Sequence, residues 1–285
     1  TTRVAQLYGF EVDREVLVAQ LNNEAIESEV RVSALQALIK RKDTSLGKLA
    51  LQYIEDADTT LRVNALEALL AADVNQGIEK AISAANQAPL VVKQIAIALL
   101  GEESDSRSAS FLQERLSSIL EGEAAANTML DVIEASRIRQ EPGIQELVRR
   151  YDQSVITSAP MEKYAASLMG GSVDRGKDVF MNHGAAQCVR CHIVDGYGAE
   201  VGPELTTIGK TRDFKYLLES IVDPGAAVAP GYGTMVLTLT NGETLSGLLM
   251  NESSEGVDLK MPNGKIETIS NSEIASKQPP ISGMP

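Results

Sequence analysis

Cysteine, histidine and aromatic residues are scarce in this chain of 285 residues, which has two Cys, two His, 4% aromatics and no Trp. Two thiols exclude a disulfide-dense scaffold, and two thiols with two imidazoles exclude any large metal cluster. With 44% hydrophobic residues and so few rings, the interior must be built from Leu, Ile, Val and Ala, as helical repeats often are. No run of about 18 apolar residues occurs, so no membrane span is expected. Basic residues are also in deficit, 26 against 39 acidic, for a formal charge of −13. Such a surface repels a phosphate backbone, and no nucleic-acid partner is expected. No nucleophile–base pair, phosphate-cradling Gly loop or second metal motif is found, so no catalytic residue is assigned and catalysis by this chain alone is not expected. The length, at about 150 residues per domain, suggests two domains. The opening Thr1-Thr2-Arg3-Val4 has neither an initiator Met nor a signal-peptide layout, and Gly283-Met284-Pro285 reads as a loop. The chain is therefore expected to be a trimmed piece of a longer polypeptide.

What is present begins with a faint repeat. Arg31-Val32-Ser33-Ala34-Leu35-Gln36-Ala37-Leu38 recurs 31 residues on as Arg62-Val63-Asn64-Ala65-Leu66-Glu67-Ala68-Leu69. Weaker echoes follow at Lys93–Leu100 and Asn127–Ile133. Apolar positions at i, i+3, i+4 and i+7 make these amphipathic helices. A period of this size resembles short, degenerate HEAT-like repeats, an α-solenoid in which each unit buries its apolar face against its neighbours. Residues 1–150 are assigned to it. Such an array presents a docking surface or serves as packed support for another domain, and the sequence leaves both open. Met129 lies in the apolar stripe and reads as core.

The pattern loosens over 151–171, where Ser158-Ala159-Pro160 and Gly170-Gly171 flank a short helical stretch from Met161 to Met169. This interval is read as a linker. Ser172 is a candidate N-cap for a helix from Val173 to Asn182, with Asp174 in its first turn. Beyond residue 230 the apolar period falls from 3.6 to 2. Thr234–Thr240 and Glu243–Met250, joined at Asn241-Gly242, predict one hairpin, and Val257–Met261 and Lys265–Ile269 across Pro262-Asn263-Gly264 predict another. A small antiparallel β unit is expected at about 231–275, with Met235, Met250 and Met261 in its core.

Three of the four Cys and His residues sit together as Cys188-Val189-Arg190-Cys191-His192. Two thiols at this spacing can add across the two vinyl groups of a haem, while the adjacent imidazole reaches the iron; this is the c-type haem attachment signature. A zinc site recruiting Cys188, Cys191, His192 and His183 is less suited, because adjacent Cys191 and His192 cannot easily serve one tetrahedral ion and no second ligand pair follows. A thioredoxin-like redox pair needs a βαβ context, whereas this motif follows a helix and opens into a glycine-rich loop. His183 is read as a surface loop residue.

Gly176 and Phe180, the Cys188–His192 motif, Gly202-Pro203-Glu204-Leu205 and a helix around Phe214–Ile221 together resemble a class I cytochrome c domain. The resemblance implies one covalent haem c, with Cys188 and Cys191 as thioether anchors and His192 as the proximal ligand. It also implies that the Pro203 carbonyl orients His192, and that Gly202 and Leu205 line the pocket. It implies a Met-Pro pair carrying the distal ligand. Met284-Pro285 lies 92 residues beyond His192, or 44 once a β insertion with its flank, 231–278, is set aside. The whole assembly at 172–285 resembles the haem-binding domain of planctomycetes and verrucomicrobia, a mainly α cytochrome fold carrying a β insertion. In that family a further helix follows Met-Pro and packs on Gly176 and Phe180, and a dehydrogenase-like propeller often precedes the domain.

Two axial ligands leave no open position on the iron, and His/Met ligation raises its potential. Both suit electron transfer, and an extracytoplasmic or periplasmic relay from a dehydrogenase to an acceptor is expected. A haem-based sensor, or a docking scaffold whose haem is dispensable, are the other readings. Residues 171–285 carry −5 of the charge and the helical part −8. A redox partner with a basic face, or an attached dehydrogenase domain, is therefore expected.

Overall fold

The computed structural model describes residues 12–123, 127–156, 159–261 and 263–284. Thr1–Val4, Ser158, Pro262 and Pro285, all used above, lie outside the described residues. The chain divides into two compact units, Thr1–Ile156 with Met169–Ser172, and Thr157–Leu168 with Val173–Pro285.

The first unit is helical. Its described elements are α1 (Arg14–Asn22), α2 (Ser28–Lys40), α3 (Leu46–Tyr53), α4 (Thr59–Ala72), α5 (Val74–Gln87), α6 (Leu90–Glu102), α7 (Ser106–Leu120), α8 (Met129–Arg137) and α9 (Pro142–Ser154). Capping side chains start several of them. Asp58 accepts the Thr60 and Leu61 N–H groups, Asp73 that of Gln76 and Asp105 that of Arg107, each satisfying donors that a first turn leaves free. The four repeated segments fall on α2, α4, α6 and α8, which pack one on the next as a layer. The helices α1, α3, α5 and α7 each pair with the one that follows, and α9 packs on α7 and α8. Equivalent positions take equivalent burial: Ala34, Ala65 and Ala96, and Leu38, Leu69 and Leu100, are all 0% exposed. The small residue lets neighbouring helices approach, and the leucine fills the space one turn further on.

Buried arginines close gaps in this array. Arg31 donates to the Leu21 carbonyl at 3.0 Å and lies 5.4 Å from the centre of the Tyr53 ring. Arg139, 4% exposed, donates to the Leu100 and Asp105 carbonyls at 3.2 and 3.4 Å, to that of Glu103, and pairs with Glu141. It thereby serves the end of α6, whose last carbonyls have no intrahelical partner.

The interval 151–171 holds the last turn of α9, a short helix α10 (Pro160–Lys163) and a 3-10 turn at Ala165–Leu168. The next four residues belong to the helical unit. The Leu130 N–H donates to Met169 O at 3.0 Å, Gln94 Nε2 donates to Gly171 O at 2.8 Å, and the Gly171 N–H donates to Asp131 Oδ2 at 3.2 Å.

The second unit continues with α11 (Val173–Asn182), a 3-10 turn at Cys188–Arg190, α12 (Ile208–Thr211) and α13 (Phe214–Val222), on which α10 and the Ala165–Leu168 turn pack. Asp213 caps α13 by accepting the Tyr216 N–H at 2.8 Å. The sheet follows: β1 (Gly233–Leu239), β2 (Thr244–Glu252), β3 (Gly256–Lys260), β4 (Ile266–Ser270) and β5 (Ile274–Ser282), all antiparallel in the order β4-β3-β2-β1-β5. Met235, Leu237, Val257, Leu259 and Ile269 form its core, with Met261 packed against them.

The sheet therefore extends past the expected limit of 275. Gln278-Pro279-Pro280 carry no strand signal, because proline cannot donate to a ladder, yet at an edge strand it needs only one bonding side. The consequence is topological. Gly233, the first residue of β1, pairs with Ser282, the last of β5. The chain leaves the helical part of this unit and completes the sheet at one place, two residues before Met284.

Candidate haem-attachment site

The attachment segment is built by backbone hydrogen bonds before any cofactor chemistry is considered. Helix α11 ends at Asn182, and His183, exposed, accepts the Ala186 N–H on Nδ1 at 3.1 Å, closing the turn that follows. The 3-10 turn then sets Cys188 and Cys191 in one short bend, with the Cys191 and His192 N–H groups both donating to Cys188 O, at 3.1 and 3.0 Å. Both thiols are free and half-buried. Among the described residues no three His, Cys, Asp or Glu side chains are grouped to hold a metal ion.

The loop from Ile193 to Leu205 runs back along this segment. Ala199 N–H donates to Val189 O at 3.0 Å, Val201 and Gly202 donate to Cys191 O at 3.1 and 2.6 Å, and Leu205 donates to Ile193 O at 2.8 Å. This register brings Gly202 and Pro203 to the His192 ring. A carbonyl can only accept, so His192 donates from Nδ1 to Pro203 O, 2.7 Å away, and of the two nitrogens only Nε2 is left to act as a ligand. The ring face lies against Gly202, where a Cβ would stand 2.7 Å from His192 Cε1. Only glycine leaves room for the imidazole there. Leu205 is half-buried at the end of the same loop.

Gly176 and Phe180 lie on α11, with nothing within 4 Å of where a Gly176 Cβ would be. Met284 follows β5, half-buried, its N–H donating to Ser282 Oγ at 3.1 Å. Of the strand methionines, Met235 is 2% exposed inside the sheet core, and Met250 lies beside Gly231, whose added Cβ would meet its Sδ at 3.5 Å.

One group of residues escaped the sequence reading, the glycines at 196 and 198. The loop was legible as glycine-rich, but only its register shows that Gly198 lies on the backbone of His192, whereas a Cβ added at Gly196 would meet nothing within 4 Å.

Residues 173–243, about a quarter of the chain, match the family model of cytochrome c. No curated protein matches the chain. A cytochrome c domain implies a covalently bound haem c, and the residues present fit it in two respects. The thiols and the imidazole stand on one short segment, with the imidazole tautomer fixed so that Nε2 can serve as a ligand. Moreover, no residue from 173 to 232 is buried, although the segment includes Val179, Phe180, Val201, Phe214, Leu218 and Ile221. A run this apolar with no interior of its own matches a large, flat, apolar group as its core. Residues 173–243 thus match the cytochrome c family in sequence, and such a domain suggests haem-based electron transfer.

Proposed function

We propose that the chain is an extracytoplasmic electron relay with one haem c held between His192 and Met284. Cys188 and Cys191 form the thioethers, and His192 binds iron through Nε2 while Pro203 O holds Nδ1–H. That second bond raises the basicity of the ligand and fixes its plane. When bound, the haem supplies a one-electron ferric–ferrous couple. The 2.7 Å bond from His192 to Pro203 carries this reading, because it commits the imidazole to the one tautomer an iron ligand needs.

The distal assignment rests on the sheet's closure. Since Gly233 pairs with Ser282, the sheet is an excursion that returns the chain to its starting point, and Met284 follows two residues later. Met235 and Met261 are committed to the sheet core. This arrangement agrees with a haem-binding domain of the planctomycete and verrucomicrobial kind, and the two-layer array of α1–α9 with HEAT-like repeats. Covalent haem of this type is attached outside the cytoplasm, which favours a periplasmic or equivalent compartment for the chain. The acidic chain suits an acceptor with a basic face, or a dehydrogenase donor with one.

No described helix is long and apolar enough to cross a membrane. The decisive experiment is absorption spectroscopy of the holoprotein and of Met284→Ala. The ferric–thioether charge-transfer band in the far red should be present in the first and lost in the second. A band retained in Met284→Ala overturns the distal assignment. Rapid CO binding to the reduced parent protein overturns the relay in favour of a ligand-binding sensor.

A further inference from the structure

We propose that Gly198 is a positioning residue for His192, acting through the main chain of the attachment segment; this rests on the reading of His192 as the iron ligand. The loop that returns along residues 188–193 folds at a tight turn in which Val194 and Tyr197 exchange both backbone hydrogen bonds, each 2.9 Å. Immediately after it, Gly198 adopts φ +118°, a conformation open to glycine alone. Its α-carbon is laid directly on the His192 peptide. A Cβ at this position would be closer to His192 O than any van der Waals contact allows, and 3.0 Å from both His192 C and Val189 O. All three atoms are main chain, so none can rotate aside.

The glycine therefore sets how near the loop can lie, and with it the register of the bonds from Ala199, Val201 and Gly202. Those bonds carry Pro203 to its place opposite Nδ1. The His192 ring is thus fixed at two points that depend on one approach: its own peptide under Gly198, and Nδ1 against Pro203 O. Forcing the peptide away from the loop lengthens or tilts the Nδ1 bond. A weaker bond at Nδ1 leaves Nε2 a poorer donor, which disfavours ferric iron relative to ferrous and raises the potential.

Gly196 supplies a matched control. It lies two residues earlier in the same loop at φ +80°, also unfavourable for other residues, but nothing lies within 4 Å of where its Cβ would be. A substitution there strains the turn without touching His192.

The test compares holoprotein of the parent, Gly198→Ala and Gly196→Ala by spectroelectrochemical titration and by the NMR resonance of the His192 Nδ1 proton. Both variants should melt at lower temperature. Only Gly198→Ala should show a raised midpoint potential and a displaced Nδ1 proton. The expected change is about tenfold in relative affinity for the two iron states, which is about 59 mV for one electron. Equal potentials in the two variants overturn the proposal. Should Gly198→Ala yield no holoprotein, Ala199→Pro decides. It removes the N–H that donates to Val189 O, the register bond next to Gly198, leaves the Val194–Tyr197 turn intact, and should move both readouts in the same direction by less; unchanged readouts overturn the proposal. His192→Ala separates the two levels of the argument. A low-spin six-coordinate spectrum surviving that change overturns the ligand reading itself, whereas a spectrum that needs His192, with potentials insensitive to residue 198, overturns only the positioning role.

Discussion

The helical unit and the cytochrome segment solve the problem of an interior in opposite ways. From α1 to α9 the chain supplies its own, and Leu35, Leu38, Leu61, Leu69, Ile78 and Leu112 are all 0% exposed. Between 173 and 232 the chain has helices of similar amphipathic character, yet no residue is buried. The difference lies in what each helix meets. Helices α2, α4, α6 and α8 meet copies of themselves, so apolar faces pair without any third party. Helix α11 packs only lightly, on the Cys188–Arg190 turn, and α13 on α10 and the turn that follows it. Such a segment gains its packing enthalpy and hydrophobic burial from the group it covalently holds, and its stability is linked to that group.

The sharpest way to break the contrast is to prevent attachment. In a Cys188→Ala/Cys191→Ala variant prepared without haem, amide protection across α11 and α13 should fall to the level of an unfolded chain. Protection in α4 and α6 should be unchanged. Retained protection in α11 and α13 would show that the segment has an interior after all. A substitution in the other unit should do the reverse. Leu69→Ala removes a fully buried side chain from the layer and should cost about 2–5 kcal/mol of unfolding free energy in urea. The midpoint potential and visible spectrum should remain those of the parent.

How much of this could be read from residues follows the same division. The layered helices were legible because their signal is repetition: Ala34, Leu35 and Leu38 recur as Ala65, Leu66 and Leu69, and each repeat meets the same surroundings. The Cys188–His192 motif stands out for a chemical reason, since two thiols and an imidazole at that spacing suit few other tasks. The first four strands followed from alternation and the Asn241-Gly242 turn. The fifth did not, because Pro279 and Pro280 suppress a strand reading in a position where an edge tolerates them. Gly198 was illegible for a different reason. Its role depends on which backbone atom lies opposite, and a loop's register is set by non-local hydrogen bonds that leave no local pattern.

A smaller effect tests whether the acidity of the chain acts on partners. Electron transfer from the reduced holoprotein to a small basic redox protein should slow as salt is raised from about 10 to 150 mM, where the screening length falls from about 30 to 8 Å. Transfer to an uncharged dye should not. Equal salt responses would remove electrostatic docking from the relay.

The smallest expected effect concerns a carboxylate in the self-sufficient unit, and its sign follows from burial. Glu67 lies on α4 among the packed helices, and desolvation, reinforced by the negative charge of Glu102, pushes its pKa above the usual glutamate value. The folded state thus holds the proton to higher pH than the unfolded chain does. Stability contributed by this group is complete at pH values below the ordinary glutamate pKa, and declines as pH rises through the raised one. Glu67→Gln is neutral at every pH and should escape that decline. Urea midpoints of parent and variant should therefore coincide near pH 4 and diverge toward pH 7, with the variant the more stable. Asp43 runs the other way. Hydrogen bonds from Ser45 and Arg14 lower its pKa to about 2, so its contribution persists above the ordinary aspartate value and is lost only as pH falls toward 2. Midpoints of parent and Glu67→Gln that stay together from pH 4 to pH 7 would mean that the charge is solvated, and that this part of the helical interior is wetter than its neighbours.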